Sequence, residues 1–339
     1  MISQEKNAAV TRGLREAFGV TTFEDIRDLT ISPTSDLVFR IVVQGSPFLL
    51  RIIKRVADPT CHFTCMKAAA EGGLAPHVWY TSAEDRLSIT DFVEAVPFPV
   101  AEALIRVPKA LQALNALPPF PTRANHLNTS CTFLLNKGPA LDGFIQRFQA
   151  ANVLPRAETE ELLARYTQVA DLYSRHDADM VSSHNDLFKP DNILFDGHRA
   201  WLVDWEAAFL NDRYADLAVV ANLVVNSDAE EKVYLQEYFG QPPDEYQQAR
   251  FFLMQQVSHI FYAMAFLLLG SSGKPVNEGR SAPEFREFHR RIWAGEVNLR
   301  DNDTKTIYGR VHLEQLLQNV RQARFDEALR IVSDRYARS

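Results

Sequence analysis

Residues 182–209 read SSHNDLFKPDNILFDGHRAWLVDWEAAF, two short apolar runs bordered by a histidine, several acids and an asparagine. The runs ILF (193–195) and AWLVDW (200–205) enclose DGHR, and Asp196-Gly197 is a strong signal for a tight hairpin turn. Asp186 stands just before this hairpin, Asn192 at the start of its first strand and Asp204 at the end of its second. Turn chemistry accounts for Asp196, because Asp bonds readily to nearby backbone. It does not account for Asp204, which sits in the apolar run VDWEAA, where a buried carboxylate is costly unless paired or bound to metal.

Phosphoryl transfer from ATP asks little covalent chemistry of a protein. It asks for an oriented hydroxyl, a carboxylate beside it, and oxygen ligands that hold Mg²⁺ against the phosphates. Asp186 suits the carboxylate beside the hydroxyl, and Asn192 with Asp204 suits the hard-oxygen metal ligands.

HNDLFKPDNIL (184–194) followed by WLVDWE (201–206) resembles the aminoglycoside phosphotransferase and choline kinase family, relatives of protein kinases that phosphorylate small-molecule alcohols. The resemblance covers most of the chain, roughly from Asp36 to Gly270. It implies an α+β, two-lobed protein-kinase-like fold: a small N-terminal antiparallel sheet lobe with a helix, and a larger, mainly helical C-terminal lobe. It implies Asp186 as catalytic base, Asn192 and Asp204 as metal ligands, ATP and Mg²⁺ as cofactors, and His184 as a support for the loop. It also implies that Asp216, in NDRYADLA, anchors that loop. The family usually writes its asparagine five residues after the aspartate, whereas Asn192 is six after Asp186, so the loop either bulges or lets Asp191 share the ligand role. Trp205 reads as packing. Glu206 reads equally as a second metal ligand, a partner for a substrate cation, or a solvated acid.

The rest of the chain fits this frame. Val10 to Phe18 has helical spacing, and DLVFRIVV (36–43) and SPFLLRIIKR (46–55) read as strands joined at a QGS turn. CHFTCMKAAAEGGLAP (61–76) reads as a helix stopped by Gly72, Gly73 and Pro76, and RLSITDFVEA (86–95) as a further strand. From Val100 the period is mostly helical, clearest in 101–117, 157–176 and 245–269. The division expected is a nucleotide-binding lobe over 1–93 and a helical lobe over 94–339, carrying the catalytic loop and substrate site.

On the nucleotide side, alternation in FLLRIIKR sends Arg51 to one face and Lys54 to the other. The resemblance implies that Arg51 reaches the ATP phosphates. Protein kinases pair that residue with a glutamate on the next helix, where this chain offers only Glu71, in the last turn. The phosphate loop ISPTSDLVF has no glycine; Thr34 and Ser35 can donate to phosphate there, or the segment is an ordinary turn. SITDFVEA resembles the segment linking the lobes, with backbone near Asp91 and Val93 at the adenine edge and Phe92 as wall.

Composition narrows the partners. The chain has 339 residues, 46% hydrophobic and 23% charged, with a net charge of −7, which disfavours nucleic acid or an anionic membrane as main partner. Cys61, Cys65 and Cys131 form neither a disulfide framework nor a zinc spacing. The start MISQEKNAAV has no apolar signal core, and the longest apolar run, Ile260 to Gly270, falls short of the ~20 residues of a membrane span. A cytoplasmic setting is expected. The late helix carries no tryptophan of the kind that cages choline in relatives, leaving His259, Phe261, Tyr262 or the distant Trp293, and Asn222 stands where an acid is expected. The function expected is phosphorylation of a small-molecule alcohol, whether a choline- or ethanolamine-like amino alcohol, a sugar or an aminoglycoside. A protein kinase is disfavoured by the short step from Asp204 to Asp216. The remaining alternative is a catalytically silent kinase-like nucleotide-binding protein.

Overall fold

The computed structural model describes residues 2, 4–30, 35–122, 131–135, 139–173, 179–271 and 282–336. Contacts group the chain into two compact units, Met1–Phe98 with Asp191–Ala208, and Pro99–Pro190 with Phe209–Ser339. Thr34 lies outside the described residues.

In the first unit, helix α1 (Gln4–Phe18) accompanies a sheet of β1 (Asp25–Asp28), β2 (Leu37–Val43), β3 (Ser46–Ile52), β4 (Val78–Ser82) and β5 (Leu87–Asp91). The strands are antiparallel in the order β1-β2-β3-β5-β4. The two-residue period is plain: Phe39, Ile41 and Val43 of β2 and Phe48, Leu50 and Ile52 of β3 are buried, and they pack with Ala9, Val10 and Leu14 of α1. The β2–β3 turn is made by Gln44 and Gly45, both at positive φ (51° and 77°), the backbone a two-residue hairpin demands.

Helix α2 (Thr60–Glu71) buries His62, Phe63, Cys65, Met66 and Ala69, and Gly73 at φ 72° turns the chain away after it. The expected hairpin is present as β7 (Ile193–Phe195) and β8 (Ala200–Leu202), with Gly197 at φ 93°. Asp196 accepts the N–H groups of His198 and Arg199, each at 2.8 Å, and those bonds help hold its carboxyl down to about 2 against its desolvation. The hairpin is tied into this unit by Leu202 N–H to Leu74 O (2.8 Å), Val96 N–H to Phe195 O (2.7 Å) and the stack of Phe98 on Phe195.

The second unit is mainly helical: α3 (Val100–Asn115), α4 (Pro139–Ala151), α5 (Arg156–Leu172), α6 (Tyr214–Val224), α7 (Asp228–Phe239), α8 (Glu245–Ser271), α9 (Phe285–Trp293), α10 (Asn302–Asn319) and α11 (Ala323–Tyr336). One small ladder pairs β6 (Met180–Ser183) with β9 (Phe209–Asp212), joining Met180 to Asp212 and Ser183 to Phe209. α8 runs well beyond the apolar stretch visible in sequence. It is long and apolar enough to cross a membrane, but 78% of its most apolar window is buried inside the protein, as a core helix requires. α10 packs closely along it: a Cβ on Gly309 would stand 2.8 Å from the Leu267 backbone nitrogen, and one on Gly270 would stand 2.7 Å from the Asn302 carbonyl oxygen.

Candidate active site

A cavity of about 310 Å³ opens inside the first unit, with Ser35, Arg51, His62, Asp91, Val93 and Asp204 on its wall. Leu49, Val38 and Met66 give it an apolar lining of the kind that accepts a flat ring. Strand alternation places Arg51 here: Leu50 and Ile52 turn into the core with α1, so Leu49 and Arg51 face the other way. Lys54, past the end of β3, is exposed. Asp91 closes β5, where its N–H bonds to His77 O (2.9 Å) and its carboxylate accepts from Trp79 Nε1 (2.7 Å).

Arg51 is gripped by carboxylates. Its Nε and Nη2 both donate to Asp36 Oδ2 at 2.9 Å, and its Nη1 donates to Asp204 Oδ1 at 2.8 Å. The glutamate that a kinase-like chain would offer from the next helix is absent; Glu71 is exposed at the end of α2, and Asp36 at the mouth of β2 takes the guanidinium instead. On α2, His62 turns its ring into the cavity, and burial together with nearby Arg51 holds it down to about 3, so it is neutral. Its Nδ1 is buried with no hydrogen-bond partner.

Asp204 has left-handed backbone angles, φ 68° and ψ 62°, just after β8. That conformation is uncommon outside glycine and is tolerated by Asp. An oxygen of Asp204 and one of Glu206 lie within 4.8 Å of each other, and Glu206 also pairs with Arg55. Glu206 is thus an acid paired with the chain's own arginines, an arrangement that none of the three sequence readings named. Trp205 is buried and donates from Nε1 to Leu202 O at 3.2 Å, a packing role. A short 3₁₀ turn spans Pro190–Asn192: Asp191 is exposed, while Asn192 is buried and its carbonyl accepts Val203 N–H at 3.0 Å.

The second unit carries the loop with Asp186. Asp216, in the first turn of α6, accepts the N–H groups of His184 (2.6 Å) and Asn185 (2.8 Å). Burial pushes the Asp216 carboxyl up, opposed by His184 and these N–H groups. Asn185 takes φ 67° and is fixed through its side chain by Asn211 Nδ2 (2.5 Å). The chain thus leaves β6 along one path, which delivers a nearly buried Asp186 to a bond with Lys189 Nζ at 2.7 Å. In the same unit, Asp212 of β9 is fully buried and bonded to the equally buried Arg250 of α8 at 2.9 Å, with Tyr173 donating to the same oxygen at 3.2 Å.

His259, Phe261 and Tyr262 of α8 are all buried, as core residues are. Tyr262 lies 5.4 Å from Phe188, and His259 shares a bond with His312 of α10 (Nδ1 to Nδ1, 2.9 Å). Sequence reading missed Asp36, His62, Lys189 and the Asp212–Arg250 pair. Only Lys189 left a local signal, three residues after Asp186.

Residues 32–252 match the family described as the phosphotransferase enzyme family. No curated protein matches the chain. Among solved structures, a choline/ethanolamine kinase family protein from Mesorhizobium loti is 17% identical with a TM-score of 0.65, the match covering 97% of this chain and 99% of that one. A choline kinase from Streptococcus pneumoniae is 12% identical with a TM-score of 0.54, covering 86% and 98% respectively. A spectinomycin phosphotransferase solved with ADP and spectinomycin is 12% identical with a TM-score of 0.53, covering 90% and 98%. Likeness at these identities carries the fold: an antiparallel sheet lobe and a helical lobe of the kinase-like α+β kind.

Proposed function

This chain belongs to the phosphotransferase enzyme family, enzymes acting on small-molecule hydroxyls, and on that premise we propose that it is an ATP- and Mg²⁺-dependent kinase of a small alcohol. The observation that carries the reading is the cavity of the first unit, where Arg51 and Asp204 meet at 2.8 Å on a wall that also includes Ser35, Asp91 and Val93. In this reading the adenine lies along the backbone near Asp91 and Val93. Ser35 and Arg51 take the phosphates. Asp186 orients the acceptor hydroxyl and takes its proton as the oxygen bonds to the terminal phosphorus and the bond from that phosphorus to the bridging oxygen breaks, releasing ADP; Lys189 keeps the Asp186 carboxylate in place.

Asp204 and Asn192 would hold Mg²⁺, since both offer hard oxygen atoms and Asp204 has a second carboxylate, Glu206, close by. The ion would neutralise charge on the phosphates. Residues 1–93 then act as the nucleotide lobe, joined by the hairpin of 191–208, and the remainder of 94–339 carries the catalytic loop and the acceptor site. The acceptor is an amino alcohol, a sugar or an aminoglycoside; choline, ethanolamine and spectinomycin stand in the names of the similar structures. The net charge of −7 argues against nucleic acid or an anionic membrane as main partner, and a cytoplasmic setting completes the proposal.

ADP release measured over a panel of amino alcohols, sugars and aminoglycosides, with and without Mg²⁺, tests the reading. Asp186→Asn should lose about 100-fold or more in turnover yet still bind nucleotide. Asp204→Asn should weaken nucleotide binding only when Mg²⁺ is present. Full turnover in Asp186→Asn would remove the assigned base, and nucleotide binding by the native chain without turnover on any acceptor would favour the silent alternative.

A further inference from the structure

We infer that Asp36 is the positioning residue for Arg51, holding its guanidinium aimed at the nucleotide phosphates in the role that no acid of α2 fills. The inference rests on the kinase reading above. Arg51 has two carboxylate partners within 3 Å, with Glu206 farther off at 3.9 Å, and the two near ones are unequal. The Asp204 side chain is 26% exposed, whereas that of Asp36 is 5% exposed.

Asp36 is itself immobilised. Its Oδ2 accepts Nε and Nη2 of Arg51, and its Oδ1 accepts the Lys54 backbone N–H at 3.0 Å. Oδ2 also takes a longer contact of 3.5 Å from Arg55 Nη2, so both oxygens are committed, Oδ2 chiefly to Arg51 and Oδ1 to the chain just past β3. The β2–β3 register enforces the arrangement: Val38 pairs with Arg51 and Leu37 with Ile52, so the residue preceding β2 lies beside the end of β3. The helix that packs on the same cavity contributes His62, a neutral ring that cannot replace a carboxylate.

The two partners also differ in what the reaction asks of them. As a metal ligand, Asp204 would give its oxygens to the cation, and its hold on Arg51 would weaken. Asp36 has no such competing task, so the guanidinium keeps its direction. A planar fork held at Nε and Nη2 leaves Nη1 as the group released toward phosphate.

The test is a double-mutant cycle in the full-length chain, with Asp36→Asn, Arg51→Ala and the pair, read as kcat/KM for ATP and as KM for the acceptor. Asp36→Asn should lower kcat/KM for ATP about ten- to a hundredfold, the weight of one charge-assisted bond. The pair should be no worse than Arg51→Ala alone, Asp36→Glu should recover part of the loss, and the acceptor KM should stay unchanged. Losses that multiply in the pair, or an acceptor KM that rises in step, overturn the proposal. Should Asp36→Asn fail to fold, Asp36→Glu combined with Arg51→Lys supplies the cycle. Should the native chain bind ATP without turning it over, the kinase reading fails while the same cycle, read as ATP affinity by calorimetry, still judges Asp36: coupling supports it and independence overturns it. A native chain that binds no nucleotide overturns both.

Discussion

Asp216 accepts the backbone N–H of His184 at 2.6 Å, and its other oxygen accepts Asn185 at 2.8 Å. One buried carboxylate on α6 thereby fixes the two residues that precede Asp186. Asp216→Ala strands both donors and should cost about 1–3 kcal/mol for each group left without a partner. Asp216→Asn keeps one acceptor and should fall between. Urea denaturation gives the stability, and turnover should fall in the same order. Native turnover in Asp216→Ala would show that the loop is held by other means.

Lys189 bonds Asp186 at 2.7 Å but is itself half exposed. Asp186 is nearly buried, but solvent around Lys189 screens the pair to about 1 kcal/mol, so Lys189→Met should lower thermal stability only slightly. Turnover should still fall roughly tenfold, because a displaced base loses its alignment with the hydroxyl. Unchanged kcat would place Lys189 outside the mechanism.

Asp212 and Arg250 form an ion pair with neither side chain exposed. Desolvation pushes the Asp212 carboxyl up, and Arg250 pulls against it. Removing Asp212 leaves the buried Arg250 with only the partly exposed Asp179, 3.2 Å away, so Asp212→Ala should cost about 3 kcal/mol, the low end for a broken buried pair. Asp212→Leu combined with Arg250→Met should cost less than the single change. Chemical denaturation of the three proteins checks the order.

His259, His289 and His312 lie together among α8, α9 and α10, facing Tyr262, Tyr308 and Phe285, with Glu284 nearby. Burial holds His259 down to about 3, His289 to about 4, and His312 well below its ordinary value. Each is neutral in the folded chain and takes a proton near pH 6.5 once unfolded. The unfolded state binds more protons through this window, so their contribution is complete above pH 6.5 and is lost as pH falls toward 4 and below. Asp212 and Asp216, whose carboxyls are raised, work with the opposite sign, contributing most at low pH. The contrast with a variant isolates the histidine part: His289→Phe should show a shallower fall in unfolding free energy between pH 6.5 and 4.5. An identical slope in the two proteins would show that His289 is charged when folded.

Much of the fold was already written in short stretches. Gln44-Gly45 turns β2 into β3, Gly72-Gly73 ends α2, and Asp196-Gly197 makes the β7–β8 hairpin, because each depends on backbone preferences that neighbouring residues settle between themselves. Strand alternation likewise sent Arg51 and Leu49 to one face of β3. The partners of those side chains were not legible. Arg51 meets Asp36 through the register of β2 on β3, and meets Asp204 across 153 residues of chain; the pairing of β6 with β9 joins Met180 to Asp212. In the same way, sequence left Asp191 and Asn192 open as ligands, and packing turned the first outward and buried the second. Periodicity and turn chemistry act over a few residues, and so the sequence by itself determined the elements and the faces their residues take. Which carboxylate reaches which cation depends on how those faces are brought together, and only the tertiary structure decided that.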